Sequence, residues 1–516
     1  MSTPPNVIYV YADDLGRGML SCYGQETIRT PNIDRIAAEG VRFERAYGCA
    51  VSAPARASLL TGYHDCHAGR WSFTRGHIYH ELSTGRLTYE EIRELINNTS
   101  YDERPDEVFL PHIARAGGLV AAQIGKLEWG FATTPERLAR HGWETHFGYY
   151  DHNRCHGFYP PFLFEDGRLV EIPGNTRADC GRTPGSESPE YREERWDRTG
   201  RAVYSQDLFD QRIEAFLRAH RDRPFFLYHP SQLPHGPIAA PEIHPAVRAA
   251  EGLTDYEKEY ASMVLRLDDT VGKIYQVLEE EGMLDRTWIV FASDNGHHPY
   301  QVQPGRCSGS EADLAGRAFD TLDYPYRSHL AGDVFNGNDG FAGCKLHSLE
   351  GGTRIPLLVR GPGIERPGTV CDRLVANYDF LPTLADLIGT DTPPWKDGLS
   401  YAPALTGASP APAAEVVFAG REGPGLVTDD GWKIRYVVPR RRFQLFHLAE
   451  DRNEEQDLAA AQPDRVRALG VRLLKRCDGN FHNGTWEPNK AVRIDEVMDG
   501  RGPEEAFPVL AQNEPG

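Results

Sequence analysis

Apolar runs of strand length, rich in β-branched and aromatic residues, recur along the chain at residues 6–11, 119–123, 224–228, 287–292 and 356–359. Stretches of helical periodicity separate them, and near-continuous apolar strands alternating with helices predict a parallel α/β sheet. The clearest helix lies where Tyr260, Met263, Val264, Leu267, Val271, Ile274, Tyr275 and Leu278 keep a 3.6-residue spacing. That stripe is the buried face of one long amphipathic helix laid on a sheet. Shorter helices are expected from Asn32, as cap, to Gly40, as stop, and over residues 205–220.

The texture changes near Thr406, where GASPAPAAE forms a small-residue, Pro-rich linker of the kind that separates domains. Beyond it, residues 416–419, 432–438 and 443–447 read as short antiparallel strands, with a turn at Asp429-Asp430-Gly431, and residues 463–477 read as a terminal helix. The expected organisation is a large domain over residues 1–408 and a smaller C-terminal α+β domain, built on an antiparallel sheet, over residues 412–516. A length of 516 residues suits two domains. The stretch 175–198, rich in Arg and Glu, and the stretch 303–339, rich in Gly and Asp, are expected to be long surface loops walling a substrate site.

Hydrophobic residues make up 40% and charged residues 25%, the balance of a soluble globular chain. The 75 acidic against 56 basic residues give a net charge of −19, a field that repels nucleic acid and anionic membrane surfaces. A polyanionic substrate must therefore meet a local basic pocket. No apolar run of about 18 residues occurs, and the first residues lead into a strand rather than a basic and apolar leader, so a cytoplasmic chain with no membrane partner is expected. The nine cysteines (22, 49, 66, 155, 180, 307, 344, 371 and 477) are odd in number and lack any CxxC pair, which favours reduced thiols over a disulfide frame or a zinc site.

Candidate chemistry sits at strand ends. Asp13-Asp14 closes the first apolar run, and ligands of open α/β sheets gather at the carboxyl ends of strands. Two adjacent carboxylates repel unless a cation lies between them; alone, the pair could equally start a loop or cap a helix. Ser293-Asp294-Asn295-Gly296 closes a second apolar run in the same way. Three carboxylates and an amide oxygen suit Ca²⁺, with Mg²⁺ as the alternative, over a soft or nitrogen-seeking metal.

The segment Ser52-Ala-Pro-Ala-Arg56, followed by Leu-Leu-Thr-Gly62, resembles the sulfatase signature. The resemblance continues in order. Gly125-Lys126-Leu127-Glu128-Trp129-Gly130 is similar to the second signature, Leu233-Pro234-His235 to a Pro-His segment, and Lys345 stands at the family's spacing before Glu350-Gly351-Gly352-Thr353-Arg354. It covers residues 6–460 and implies a doubly wound, mostly parallel sheet of the alkaline-phosphatase type.

It also implies roles. Ser52 is the residue oxidised to formylglycine, whose hydrate attacks sulfur with one hydroxyl and expels sulfate with the other. A serine-acting formylglycine-generating maturase is therefore an implied partner. Pro54 suits a first helical turn, which sets residue 52 at the positive helix end with Arg56 one turn on. Lys126 and Lys345 are implied to bind sulfate, and His235 to serve as general acid. Glu128 stands where many members carry a histidine that contacts the nucleophile. Members of the Gly-Lys-Trp-Gly-Leu-Gly type also lack that histidine and share the stretch 141–164, in which His156 precedes an aromatic-Tyr-Pro run. His67, Glu128, His156 and His298 are the implied substrate contacts, and His64 and His297 lie further out. Asp13, Asp14, Ser52, Asp294 and Asn295 are the implied metal set.

The implied reaction is hydrolysis of a small sulfated saccharide, with galactose or N-acetylgalactosamine sulfate suggested by the 141–164 stretch. Two alternatives stand beside it: a phosphodiester or phosphonate monoester hydrolase on the same scaffold, and a non-catalytic sulfoglycan-binding homologue.

Overall fold

The computed structural model describes residues 3–68, 78–98, 106–130, 132–177, 184–319, 323–407 and 415–485. Among these residues are fourteen strands. Ten form one sheet: β1 (Asn6–Ala12), β2 (Val41–Tyr47), β3 (Val120–Gly125), β4 (Thr145–Gly148), β5 (Phe162–Glu165), β6 (Arg168–Glu171), β7 (Phe225–Pro230), β8 (Thr287–Ser293), β9 (Leu357–Arg360) and β10 (Thr369–Ala376). Their spatial order is β10-β2-β9-β8-β1-β7-β3-β4-β5-β6. All pairings are parallel except those made by β5 and β9, which run against the rest. The sheet is thus mostly parallel, as the resemblance implied, with β5 and β9 as its antiparallel strands. Apolar periodicity reports burial and is silent on the direction of a neighbour.

Both faces of the sheet are covered. Ile8, Val10 and Ala12 of β1 join one buried cluster with helices Pro31–Glu39, Ser205–Ala219 and Asp255–Glu280, while Val7, Tyr9 and Tyr11 join the other with helices Ser52–Thr61, Leu110–Ala116 and Phe380–Ile388. This alternation explains why the run from Val7 to Ala12 contains no charged or amide side chain: each side chain of a central parallel strand meets a helix. The long stripe from Tyr260 to Leu278 does lie on the 26-residue helix Asp255–Glu280, which opens with a capping box between Thr254 and Glu257. The first short helix begins at Pro31 with Thr30 as its N-cap, ahead of the expected cap at Asn32, because proline is pre-set for the first helical turn.

A second sheet, β11 (Glu415–Phe418), β12 (Gly425–Thr428), β13 (Trp432–Val437) and β14 (Arg442–His447), is antiparallel throughout and packs against helix Pro463–Arg476. The linker residues 408–414 and residues 486–516 fall outside the described residues. The small sheet shares buried apolar contacts with the large one: Tyr47, Leu374, Ala376 and Tyr378 cluster with Val416, Phe418 and Val427.

The stretches 175–198 and 303–339 are only partly surface loops, and residues 178–183 and 320–322 fall outside the described residues. Helix Pro189–Glu194 interrupts the first. In the second, Tyr326, Asp333, Phe335 and Asn338 are buried, and Asp333 lies 3.2 Å from the buried His297. Gly- and Asp-rich composition signalled turns there, not exposure. The eight described cysteines form no disulfide. Among the described residues, no helix is long and apolar enough to cross a membrane.

Candidate active site

The site forms where four adjacent strands, β8, β1, β7 and β3, reach their carboxyl ends. Asp13 and Asp14 follow β1, Lys126 follows β3, His235 lies five residues beyond β7, and Asp294 and Asn295 follow β8. In an extended strand the side chains of Asp13 and Asp14 would point to opposite faces. Asp14 instead adopts a φ of 61°, the left-handed region that aspartate tolerates better than most residues. That turn lets both carboxylates converge. Ser52 Oγ donates to Asp13 Oδ1 at 2.7 Å and lies 3.4 Å from Asp14 Oδ1 and 3.1 Å from Asn295 Oδ1. The carboxylates of Asp13, Asp14 and Asp294 offer oxygens all within 4.8 Å of one another, and all three residues are buried.

Ser52 is the first residue of helix Ser52–Thr61, after Val51 as N-cap, and the helix stops at Gly62 with a φ of 73°. The unpaired N–H groups of its first turn put partial positive charge at residue 52. Arg56, one turn later and 2% exposed, sets Nη1 3.8 Å from Asp294 Oδ2 and Nη2 3.4 Å from His152 Nδ1. The ammonium of Lys126 contacts Asp13 Oδ2 and lies 3.3 Å from His156 Nε2. Lys345 donates to Asp14 Oδ2 at 2.7 Å and lies 3.2 Å from His235 Nε2. The His156 ring stacks on His235 at 4.1 Å, and His298 packs edge-on against Tyr300 at 4.7 Å. Tyr300 donates its hydroxyl to Asp14 Oδ2.

Electrostatics follow from this crowding. Burial pushes the Asp13 and Asp14 carboxyls up, but the cations outweigh it: Lys126 first for Asp13 and Lys345 first for Asp14 hold them well below the ordinary carboxylate range. Asp294 goes the other way, since burial and the charges of Asp13 and Asp14 push it well above that range. Burial and the Lys345 charge depress His235 to about 4 and His298 to about 3. An all-oxygen, buried, acid-rich donor set fits a hard divalent cation, because such a charge between the three carboxylates offsets the repulsion that pushes the Asp294 carboxyl up.

The structure therefore brings together Asp13, Asp14, Ser52, Arg56, Lys126, His156, His235, Asp294, Asn295, His298 and Lys345. It does not bring Glu128 or His67 into that group. Glu128 is 1% exposed and accepts from Thr133 Oγ1 at 3.1 Å and Trp143 Nε1 at 2.8 Å, with His141 Nδ1 at 2.8 Å. Its carboxylate is saturated by neighbours of its own segment. His67 lies between two carboxylates, with Nε2 2.8 Å from Asp397 and Nδ1 3.1 Å from Asp478, and its ring stacks on His64 at 4.0 Å. Its pKa rises to about 9, burial being outweighed by the two aspartates. Two residues absent from the sequence reading belong to the site: His152, against Arg56, and Tyr300, on Asp14. The signal for the first is its four-residue spacing from His156, which sets two imidazoles in one short turn.

Three findings place the chain among known proteins. The family model described as "Sulfatase" matches residues 5–390. The chain is 26% identical to N-acetylgalactosamine-6-O-sulfatase of Bacteroides thetaiotaomicron over 92% of this chain and 93% of that one, and 28% identical to arylsulfatase A of Homo sapiens over 81% and 71%. Among solved structures, it is similar to Ps i-CgsB in complex with k-i-k-neocarrahexaose, with a TM-score of 0.68, 21% identity and 99% of both chains covered.

Proposed function

Because the chain belongs to the sulfatase family and is a sulfuric ester hydrolase, we propose that it removes sulfate from a sulfated carbohydrate at one divalent cation, with residue 52 as nucleophile. The observation that carries this reading is the position of Ser52 Oγ, 2.7 Å from Asp13 Oδ1 and 3.1 Å from Asn295 Oδ1, at the start of a helix and beside three clustered carboxylates. In the proposal Asp13, Asp14, Asp294 and Asn295 hold Ca²⁺, or Mg²⁺ in its place, which supplies the positive charge that favours an ionised nucleophile. Ser52 is the residue converted to formylglycine by a serine-acting maturase, and the modified side chain supplies two hydroxyls on one carbon where serine has one.

The chain's own residues do the rest. Arg56, Lys126 and Lys345 line the space next to residue 52 and offset the negative charge that builds on sulfate oxygens, a task in which losing one donor costs roughly 10²- to 10³-fold. Lys126 and Lys345 each pair with a different carboxylate of Asp13-Asp14, so a bound sulfate competes with those carboxylates for the ammonium groups. His235 donates its Nδ1 proton to Gly236 O at 2.6 Å. That bond fixes the tautomer and leaves the Nε2 lone pair facing the site, 3.2 Å from the Lys345 ammonium. Nε2 must therefore first take up a proton before it passes one to the departing sugar oxygen, and the negative charge of a bound sulfate favours that uptake. His156, stacked on His235, holds the imidazole plane. His67 and Glu128 take no part in this scheme.

The sugar is galactose or N-acetylgalactosamine, a reading supported by the name of the Bacteroides relative and by the stretch 141–164 around His156. The test is a panel of sulfated mono- and disaccharides, with a phosphonate monoester as comparator, against chain matured by a serine-acting enzyme and loaded with Ca²⁺. Sulfate release from galactose or N-acetylgalactosamine esters above all other substrates is expected. Faster turnover of the phosphonate, with no sulfate ester cleaved, would overturn the proposal.

A further inference from the structure

Lys345 lies in a turn whose backbone is strained. The residue after it, Leu346, has a φ of 85°, where a branched side chain crowds its own backbone. Four backbone bonds pin that turn. Lys345 N donates to His297 O at 2.9 Å, Leu346 N to Ala50 O at 2.8 Å, and His347 N to Cys344 O at 3.1 Å; Leu346 O accepts from Arg421 N at 2.6 Å. Ala50 sits two residues before Ser52. The turn thereby fixes the lysine relative to the nucleophile.

Arg421 belongs to the C-terminal region, and that region grips the turn again immediately downstream. His347 Nδ1 contacts Glu422 Oε1, and Glu422 Oε2 lies 3.1 Å from Arg435 Nη2 on β13. Glu422 and His347 are both buried and Arg435 is fully so. Gly420 comes so near that a Cβ there would meet Ser348 N and Cβ at 2.7 Å. One step on, Lys433 of β13 bridges Glu350 and Glu454 at 2.9 Å each, again wholly buried. Buried ion pairs are an expensive way to join the C-terminal region to the segment after Lys345, and apolar side chains of like volume would hold them as firmly. What ion pairs add is register, because a charge without its partner cannot be left buried.

We propose that Glu422 and His347 are positioning residues for the sulfate-ester reaction: through them the C-terminal sheet holds the strained turn at Leu346 and so sets the Lys345 ammonium in the site. The C-terminal sheet is then part of the catalytic apparatus as well as of the fold. The inference rests on the reading of Lys345 as a sulfate-binding residue.

A double-mutant cycle separates the two claims. Glu422→Gln keeps the shape of the side chain and removes its charge, and it is made in the wild-type and the Lys345→Ala chains, both full length, matured and Ca²⁺-loaded. The expected result is a fall in kcat of tenfold or more for Glu422→Gln alone and no further fall for Glu422→Gln in the Lys345→Ala chain, with cation content unchanged. His347→Gln serves as the second variant should Glu422→Gln fail to fold. Wild-type activity in Lys345→Ala would remove the role of Lys345 itself. A clearly impaired Lys345→Ala with Glu422→Gln adding its full effect in both chains, or an unchanged kcat in both position variants, would overturn the positioning role alone.

Discussion

Replacing Asp294 by asparagine has opposite effects on the cation-free and cation-loaded protein. Asp294 lies within 4.8 Å of the Asp13 and Asp14 oxygens, so each like-charge pair costs about 3 kcal/mol at an effective dielectric of 20. Arg56, at 3.8 Å, returns about 4 kcal/mol on the same scale. Roughly 2 kcal/mol of net repulsion remains, and burial together with the Asp13 and Asp14 charges pushes the Asp294 carboxyl up. The amide of the variant keeps an Oδ1 acceptor in place of the one that receives Asp14 N at 3.0 Å and Asn295 N at 2.8 Å, so the local backbone is preserved. The EDTA-treated variant is therefore expected to melt at or above the wild type. With Ca²⁺ in excess the order reverses: wild type held at about 100 times its Kd gains about 2.7 kcal/mol from linkage, and the variant, short of one charged ligand, gains far less. The assay is thermal unfolding across a Ca²⁺ titration, with calorimetric binding alongside. Equal Ca²⁺-induced shifts in both proteins, or a variant that is less stable without the cation, would refute the reasoning.

Three further outcomes follow from individual side chains. His235→Gln is expected to lower kcat by roughly 10²- to 10⁴-fold on sugar sulfates, and by much less on an aryl sulfate whose leaving group needs no proton; equal losses on both would remove the general-acid role. Glu128→Gln, with its amide facing groups that donate to the carboxylate, is expected to destabilise the fold by about 1–3 kcal/mol while leaving KM unchanged in the folded protein, and a raised KM with unchanged stability would return Glu128 to the substrate site. His67 is held as a cation with its pKa raised from 6.5 to about 9, so its contribution, about 3 kcal/mol at most, is present in full below pH 6.5 and is lost as pH rises to 9; melting of wild type against His67→Gln from about pH 6 to about pH 10 should show the two converging, and a constant difference would contradict it.

Much of the site is legible because its residues sit where apolar strands end. The runs closing in Asp13-Asp14 and Asp294-Asn295 are buried on both faces, so their boundaries stand out, and strand ends are where such sheets bind ligands. β2 escapes the sequence reading because Arg42, Glu44 and Arg45 break its apolar pattern. Arg45 donates to Thr428 O at 3.0 Å in the second sheet, so a charged strand position serves a contact that no local pattern announces. β9 reads as a strand but not as an antiparallel one, since pairing direction is decided by partners far away in sequence. Glu128 and His67 show the same limit at the level of side chains. Glu128 is two residues from Lys126 and yet is claimed by His141 and Trp143. His67 is fixed by Asp397 and Asp478, hundreds of residues downstream, and only folding brings those carboxylates to it.

The central claim is that residue 52 becomes the nucleophile only after modification, and the direct measurement is the mass of the tryptic peptide containing it, taken together with sulfate release from the same samples. Co-expression with a serine-acting maturase is predicted to yield a peptide lighter by two hydrogens at residue 52, with initial rate proportional to the modified fraction and no sustained turnover in chain that retains serine. Full turnover by chain whose residue 52 is entirely serine would contradict the account.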